Sequence, residues 1–418
     1  MLIEFSVSNY RSFREKQTLS MVATPRLSKK RNVFKPVVKG EKIPALLKVA
    51  AIYGPNASGK SSLIKAIGMM REIFFEAPTA AKESLLPAQP FRFDPALKEQ
   101  PSRFEYNFIK GGLRYQFTLA LTQRRIVEET LFAYPKGKES LMYSRTFGAG
   151  GEVYVYGEDL EGGKQVHEAW RKLTSPKVLF ISQAVANSSE DLTQLKQPLS
   201  WFSENLLIVE QDTMRGWSLA SRSILQDNPA LASDLGGFLQ EIDIPVSNIR
   251  TESQEDISSA FFSAEKQLSR EDFAKLNACQ TTLTHTSVLG SAEFDFSEES
   301  GGTQNLMGFW LPWVKTENGG SLLAVDELDS SLHPKIVADL IEKHLDSGID
   351  SQLIFTTHDT HLMNAKILRR DQFWITERDA YGATNLFSIH DFEGREGEDI
   401  EKRYFEGRYR GLPLIRRR

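Results

Sequence analysis

The residues best suited to chemistry form a glycine-rich loop between an apolar run and a stretch with helical periodicity. Positions 54–61 read GPNASGKS, which fits the phosphate-binding pattern G-x-x-x-x-G-K-S/T known as Walker A. Glycines let such a loop curl until its backbone N–H groups face phosphate oxygens, and the dipole of the following helix adds to the attraction. The pattern predicts that ATP is bound by Gly54, Asn56, Ser58, Gly59, Lys60, Ser61 and Ser62.

Two residues of this phosphate loop have distinct expected tasks. Lys60 is expected to reach the β- and γ-phosphates and to take part in catalysis there. The hydroxyl of Ser61 is expected to ligate Mg²⁺, which is therefore the second expected cofactor. The alternative, a chance glycine-rich turn, is disfavoured by the strand pattern before the loop and the helix pattern after it.

A pair of carboxylates follows an apolar run later in the chain. Residues 321–325 read SLLAV and lead directly into Asp326 and Glu327. Beside a phosphate loop, Asp326 is expected to hold the Mg²⁺ shell, and Glu327 to orient and deprotonate the attacking water. The second carboxylate favours hydrolysis over transfer to a small acceptor. Without the phosphate loop, a solvated acidic turn would be the better interpretation of this pair.

A further apolar run, at residues 353–356, is followed by Thr357, His358 and Asp359. His358 is predicted to contact the γ-phosphate or the attacking water, and so to sense the nucleotide state and assist catalysis. A histidine at the end of a strand is otherwise more often structural. His333, which precedes Pro334, is predicted to cap the next helix.

These residues need a framework of alternating strands and helices. Period-two alternation predicts strands over 3–7, 104–108, 115–121 and 126–133, with a hairpin turn at Gly111 and Gly112. Apolar runs predict buried strands over 52–53, 178–181, 321–325, 353–356 and 373–376. Helical patterns cover 61–75, 303–314 and 334–345, and residues 188–273 look mostly helical.

Composition excludes several classes of protein. The 418 residues include 51 Lys and Arg against 55 Asp and Glu, a net charge of −4, so any nucleic acid must meet a local patch. Cys279 is the single cysteine, which excludes an intrachain disulfide and the usual zinc sites. No run approaches the ~18 apolar residues of a membrane span, and the N-terminus lacks a signal-peptide pattern. A cytoplasmic protein without a membrane partner is expected.

Several motifs together resemble the ABC-type ATPases of the SMC, RecF and OLD-like branch. The run DELDSSLHP at 326–334 resembles their Walker B and D-loop, SGGTQ at 300–304 their signature, and NYRSF at 9–13 their N-terminal strand. The run GRYRGLP at 407–413 resembles a tail of small bacterial ATPases in phage-defence and abortive-infection systems (AbiL-like, PARIS AriA-like and RloA-like). The resemblance implies an α/β fold: an ABC-type P-loop NTPase head, with a mixed sheet, flanking helices and an antiparallel β-subdomain, plus a mainly helical insertion.

The resemblance also implies roles for particular residues. In such heads two protomers enclose two ATP molecules, so Ser300 and Gly302 are expected to bind the γ-phosphate in trans, in a homo-oligomer built from head-to-head dimers. Asp329 is expected to contact the nucleotide site from the D-loop, and Arg11 to contact the phosphates. Gln183 is expected to be the Q-loop glutamine, a metal ligand.

Two departures from the family pattern weaken a transporter interpretation. Glu299 stands where a leucine usually precedes the signature serine. Gln304 is displaced by Thr303 relative to the commonest transporter signature.

The expected organisation is a split head. Residues 1–183 would carry the phosphate loop and the β-subdomain, 184–290 the helical insertion, and 291–418 the signature, Walker B, D-loop and switch histidine. The expected function is that of an ATP-hydrolysing sensor or scaffold in an anti-phage system. Because the chain after His358 is too short for an appended nuclease, the effector (nuclease-like, of TOPRIM type for example) is expected to be separately encoded.

A phage protein or DNA is the expected trigger of such a system. The alternative function is a DNA-repair or DNA-end-binding ATPase of the RecF/SMC type. Its candidate DNA contacts are the basic stretch from Arg26 to Lys39 and the tail at 416–418.

Overall fold

The computed structural model of the chain describes residues 1–76, 85–225, 228–252, 280–330, 332–363, 367–395 and 397–412. Cys279 and the basic tail at 416–418 therefore lie outside the described residues. Strands and helices are labelled below in chain order.

Most strands of the first half of the chain belong to the β-subdomain, and β5 leads into the phosphate loop. Their bounds are β1 Leu2–Ser8, β2 Gln17–Ser20, β3 Val33–Phe34, β4 Leu46–Leu47, β5 Val49–Tyr53, β6 Ser102–Lys110, β7 Leu113–Leu121, β8 Ile126–Ala133, β9 Ser140–Gly148 and β10 Gly151–Tyr156. The remaining strands are β11 Leu206–Val209, β12 Val246–Glu252, β13 Gln280–Ser287, β14 Gly290–Asp295, β15 Leu322–Val325, β16 Gln352–Thr356, β17 Phe373–Arg378 and β18 Thr384–Ser388.

The helices of the described residues are distributed along the whole chain. Their bounds are α1 Lys60–Glu76, α2 Gly163–Leu173, α3 Phe180–Ala186, α4 Lys196–Ser200, α5 Gln211–Leu225, α6 Pro229–Glu241, α7 Gly301–Thr316, α8 Pro334–Asp346 and α9 Ile400–Phe405. The side chain of His333 accepts a hydrogen bond from Lys335 N at 3.2 Å, which confirms it as the cap of α8.

A six-stranded sheet in the order β11-β15-β16-β5-β17-β18 forms the centre of the head. The first five strands are parallel, and β18 returns antiparallel to β17. The predicted apolar runs before the phosphate loop, the acidic pair and His358 are the neighbouring strands β5, β15 and β16. Because parallel strands end at one edge of a sheet, this topology brings the three motifs together.

Both faces of this sheet are covered. On β5, Ala50 and Ile52 belong to the core shared with α1 and the antiparallel sheet, whereas Val49, Ala51 and Tyr53 belong to the core shared with α7 and α8. All five residues are buried, which explains why the strand reads as a continuous apolar run.

The β-subdomain is a seven-stranded antiparallel sheet in the order β10-β9-β8-β7-β6-β1-β2. Its inner face packs aromatic side chains against α1 and the turn after α4. The Phe5 and Tyr106 ring centroids lie 4.9 Å apart, and those of Phe108 and Trp201 lie 4.4 Å apart. The predicted antiparallel subdomain is thus present, with Gly111 and Gly112 at the turn between β6 and β7.

The strand predicted over 178–181 is wrong, because Phe180–Ala186 is the helix α3. The buried carboxylate of Glu129 accepts hydrogen bonds from Phe180 N at 2.7 Å and Ile181 N at 3.0 Å, and so serves the first turn of this helix. Phe180, Ile181 and Ala184 form its buried face. A short apolar run does not by itself separate a buried strand from a buried helix.

The range 184–290, predicted as a mainly helical insertion, contains more than helices. It includes α5 and α6, but also β11, which pairs with β15 at the edge of the central sheet. It also includes β12 and β13, which with β14 form a three-stranded antiparallel sheet. The chain therefore returns to the head at 206–209. The sequence analysis missed this strand because it lies inside the stretch 188–273, which looked mostly helical.

Candidate functional site

The phosphate loop has a backbone that only glycine permits at two positions. Gly54 has φ +149° and Gly59 has φ +108°. A Cβ on Gly54 would lie 2.4 Å from the Thr376 carbonyl oxygen, and one on Gly59 would lie 2.2 Å from Thr384 Oγ1. The loop is therefore a cradle pressed against β17 and β18, as the glycine pattern predicted.

Hydroxyl groups fasten the loop from the neighbouring strands. Ser58 Oγ lies 2.6 Å from Thr376 Oγ1 on β17. Thr384 Oγ1, at the start of β18, lies 2.7 Å from the Ser58 carbonyl oxygen and 2.8 Å from Ser12 Oγ. The N-terminal motif at 9–13 thus supports the phosphate loop through Ser12.

Lys60 is the first residue of α1, and its ammonium group points back into the loop. It donates hydrogen bonds to the carbonyl oxygens of Gly54 at 2.9 Å and Pro55 at 3.3 Å. Burial lowers the pKa of Lys60, while the charges of Asp326, Glu327 and Asp329 act in the opposite direction. These carboxylates and the loop lysine therefore share one electrostatic site. A buried ammonium that donates to neutral carbonyls is well matched to incoming phosphate oxygens.

Thr356 of β16 orders the acidic pair. Its hydroxyl donates to Asp326 Oδ1 at 2.7 Å and accepts from Glu327 N at 2.7 Å. Glu327 has φ +53°, an uncommon conformation for a residue with a side chain, and Leu328 N bonds to the Thr356 carbonyl at 3.1 Å. The strained turn directs Asp326 inward, where it is buried, and leaves Glu327 partly accessible at the edge of the sheet.

Gln211 is a candidate site residue that the sequence analysis missed. It is the first residue of α5 and follows β11, and its side-chain amide donates to Glu327 Oε2. A cavity of about 210 Å³ adjoins this pair and is lined by Gln211, Asp326 and Glu327 among others. The signal that could have found it is the run LLIV at 206–209, followed at once by polar residues, as at the other strands of the site.

Gln183 is not placed where the Q-loop prediction requires. It lies in α3, whose first turn is bound by Glu129 of the antiparallel sheet, and its carbonyl accepts a hydrogen bond from Asn187 at 2.9 Å. Within the described residues no contact joins Gln183 to the phosphate loop or to Asp326. The strand that was expected before Gln183 is this helix, and the role of Gln183 as a metal ligand stays a prediction.

Asp329 and His358 meet at the edge of the site. His358 N donates to Asp329 Oδ2 at 3.2 Å, and the His358 side chain is exposed. Asp329 Oδ1 is buried without a hydrogen-bond partner among the described residues. The Asp329 carboxylate therefore joins the segment after β15 to the backbone of the segment after β16.

Ser300 begins the signature helix α7. Its Oγ accepts a hydrogen bond from Thr303 N at 3.1 Å, which makes it the N-cap, and the residue is exposed. Within the described residues Ser300 and Gly302 have no contact with the phosphate loop of their own chain. An exposed N-terminus of a sixteen-residue helix is suited to an anion from another molecule.

The unusual Glu299 has a structural partner. Its carboxylate lies 2.6 Å from His285 Nε2 on β13, and only 6% of its side chain is accessible. Gln304 Nε2 donates to the Glu299 carbonyl at 3.1 Å. These contacts tie the loop before Ser300 to the three-stranded sheet, a task that a leucine at 299 could not perform.

Arg11 lies next to the residue that supports the phosphate loop. Its backbone has φ +52°, and its N–H donates to the Gln89 carbonyl at 2.6 Å. A Cβ on Gly59 would lie 2.8 Å from Ser12 Oγ, so the segment reaches the loop. The predicted contact of Arg11 with phosphates remains a prediction.

The basic stretch proposed as a DNA contact is partly used inside the protein. Lys29 Nζ donates to the Leu368 carbonyl at 2.6 Å. Arg31 contacts Asp346 Oδ1 at 3.0 Å and Glu342 Oε1 at 3.5 Å. Arg31 thus attaches the stretch to α8 and Lys29 attaches it to the segment before β17, which leaves fewer of its charges to meet phosphates.

Comparison with known proteins identifies the family of the chain. A family model described as "AAA domain, putative AbiEii toxin, Type IV TA system" matches residues 49–364, from β5 to just beyond His358. The chain belongs to this family. The order of the central sheet and this family match agree with the predicted α/β fold of a P-loop ATPase head.

Solved structures that match the chain include three SMC heads. The SMC head domain from Thermotoga maritima is 14% identical with a TM-score of 0.40, over 93% of this chain and 98% of that one. An SMC head bound to the C-terminal winged-helix domain of ScpA is 13% identical with a TM-score of 0.43, over 93% and 99%.

A third structure, an SMC head with an extended coiled coil bound to the C-terminal domain of ScpA derived from Pyrococcus furiosus, is 12% identical with a TM-score of 0.42, over 93% and 97%. No curated protein matches the chain. Among the described helices, none combines the length and apolar character needed to cross a membrane.

Proposed function

We propose that this AAA-family head binds ATP with Mg²⁺ and hydrolyses it between two copies of the chain. The observation that carries the proposal is that parallel β5, β15 and β16 end at one edge of the sheet, where they bring the loop of Lys60 beside Asp326 and Glu327. A phosphate cradle, a candidate metal ligand and a candidate general base lie at one edge of one sheet. A protein that only bound the nucleotide would not need the second carboxylate.

Different residues bind the phosphates, hold the metal ion and activate the attacking water. Lys60, freed from the Gly54 and Pro55 carbonyls, holds the β- and γ-phosphates. Ser61 and Asp326 hold the Mg²⁺ ion, which supplies charge neutralisation at the phosphates when bound. Glu327 orients the attacking water and accepts its proton, and Gln211 fixes the direction of that carboxylate.

The second copy completes the site from outside. Ser300 and Gly302, at the exposed start of α7, bind the γ-phosphate of the partner's nucleotide. ATP then closes the dimer and hydrolysis opens it. The exposure of Ser300 supports this arrangement, because a residue that served its own phosphate loop would face that loop.

The biological role that we propose is a sensor or scaffold subunit of an anti-phage system, which controls a separately encoded, nuclease-like effector. The toxin–antitoxin wording of the family description supports this role. The tie between Glu299 and His285 supports it too, because the three-stranded sheet connects the signature loop to an outer surface where Val288 and Leu289 are fully exposed.

The test is ATP turnover and assembly of the purified chain. With Mg²⁺ and ATP the wild type should release phosphate and form dimers, whereas with ADP it should not dimerise. Lys60→Ala should abolish both responses, and Lys343→Ala, on the far face of α8, should abolish neither. Co-purification with the products of neighbouring genes, with ATP against ADP, tests the effector. Absence of phosphate release by the wild type would refute the enzymatic proposal.

A further inference from the structure

We infer that Lys65 is a positioning residue for hydrolysis, which holds the loop of Gln211 and thereby couples the phosphate-binding helix α1 to Glu327. This inference rests on the proposed ATPase function. It adds a residue that belongs to none of the motifs recognised in the sequence.

Lys65 holds the carboxylates on both sides of Gln211. Its Nζ lies 2.7 Å from Glu210 Oε2 and 3.3 Å from Asp212 Oδ2. Glu210 is the residue that joins β11 to α5, and its carbonyl accepts a hydrogen bond from Met214 N at 2.9 Å. The Lys65 ammonium group therefore fixes the start of α5. It thereby fixes the backbone of Gln211, whose side chain bonds to Glu327.

The surroundings strengthen these ion pairs. Only 13% of the Glu210 side chain is accessible, and burial raises the pKa of Glu210 despite the opposing effect of Lys65. Burial alone lowers the pKa of Lys65, but hydrogen bonds to Glu210 and Asp212 outweigh it, so that the net pKa of Lys65 is raised. A half-buried pair of this kind depends on its cation, since Glu210 would otherwise be a poorly solvated charge.

Lys65 lies on the same helix as Lys60, so a movement of this helix on phosphate binding also moves Lys65. Lys60 and Lys65 are five residues apart on one helix, about 7.5 Å along its axis. Because a helix moves as a rigid unit, a shift of α1 when Lys60 takes up phosphate is passed through Lys65 to the Gln211 loop. Small displacements of a catalytic group cost much activity, up to about 100-fold for roughly 1 Å.

The experiment is a double-mutant cycle on the full chain. Lys65→Met and Lys65→Arg are each made alone and in the Gln211→Ala background, and kcat, KM for ATP and thermal stability are measured. Lys343→Met is the matched control, because Lys343 contacts Glu241 at 2.7 Å and Asp339 at 3.1 Å away from the site.

Lys65→Met is expected to lower kcat about tenfold with little change in KM, and Lys65→Arg to restore most of it. In the Gln211→Ala background the Lys65→Met change should have almost no further effect on kcat. A full further tenfold loss in that background, or a loss of kcat equal to that of Lys343→Met, would overturn the inference. Lack of turnover by the wild type would instead contradict the proposed function itself.

Discussion

The side-chain amide of Gln211 donates a hydrogen bond to the carboxylate of Glu327, and so joins the start of α5 to the end of the Walker B strand. The two residues are 116 positions apart in the chain. They meet because β11 and β15 are parallel neighbours that end at the same edge of the sheet. This contact makes Gln211, rather than Gln183, the glutamine that belongs to the candidate site.

Replacement of Gln211 and of Gln183 by alanine, one at a time, should show which of them takes part in ATP hydrolysis. Gln211→Ala is expected to lower kcat for ATP hydrolysis about tenfold to 100-fold, because Glu327 loses the group that orients it. Gln183→Ala, on α3, should leave kcat within about twofold. Steady-state phosphate release measures both variants, and a larger loss from Gln183→Ala than from Gln211→Ala would reverse the assignment.

Loosening the support of the phosphate loop should weaken ATP binding. Thr384→Val removes the hydroxyl that lies between Ser58 and Ser12, and is expected to raise the Kd for ATP about tenfold, whereas Thr384→Ser should nearly restore it. The control is Thr316→Val, which removes a buried hydroxyl bonded to the Trp313 carbonyl at 2.7 Å, in the last turn of α7. Calorimetric titration with ATP gives the comparison, and an equal effect of both valine variants would argue against a specific role.

A bulky cation at the signature should block assembly without blocking nucleotide binding. Ser300→Arg is expected to bind ATP normally, because Ser300 does not contact its own phosphate loop, but to prevent ATP-dependent dimerisation. Ser297→Arg, at another exposed residue of the same loop, is the matched control. Light scattering after size exclusion with ATP reports the mass. A Ser300→Arg dimer that forms as readily as the wild type would contradict the trans site.

Acid should destabilise the fold through His344. Burial lowers the pKa of His344 from 6.5 to about 4. Between these values the unfolded chain binds a proton that the folded chain does not, so stability falls as the pH drops from about 6.5 towards 4. The loss at the acid end is about 3 kcal/mol. The His344→Gln variant should not show this part of the loss of stability.

The control for this pH dependence is His390→Gln, because His390 is exposed. Urea unfolding at several pH values gives the difference between the variants. If His344→Gln and the wild type lose stability in parallel from pH 6.5 to pH 4, then His344 is not the group responsible.

Much of the site could be predicted from local runs of sequence. The phosphate loop, the acidic pair and His358 each follow an apolar strand directly, so their positions at one sheet edge follow from parallel pairing. Gln211 also follows an apolar strand, but it was missed because that strand lies inside a region whose pattern looked mostly helical. The strand predicted at 178–181 was wrong for a different reason. Its apolar residues are buried on one face of a helix, and the first turn of that helix is bound by Glu129, which is distant in sequence.

The role of Glu299 shows a second limit of sequence reasoning. As a departure from a family pattern it indicated only a weaker match. Its meaning comes from His285 on another strand, a contact that no local pattern encodes.

The central claim is that Glu327 is the base for ATP hydrolysis. Glu327→Gln keeps the shape of the side chain and an oxygen that can accept from Gln211, but removes the proton acceptor. With Mg²⁺ and ATP, phosphate release by this variant should fall at least about 100-fold, while ATP binding is kept and the dimer persists. Turnover by Glu327→Gln at the rate of the wild type would contradict the account.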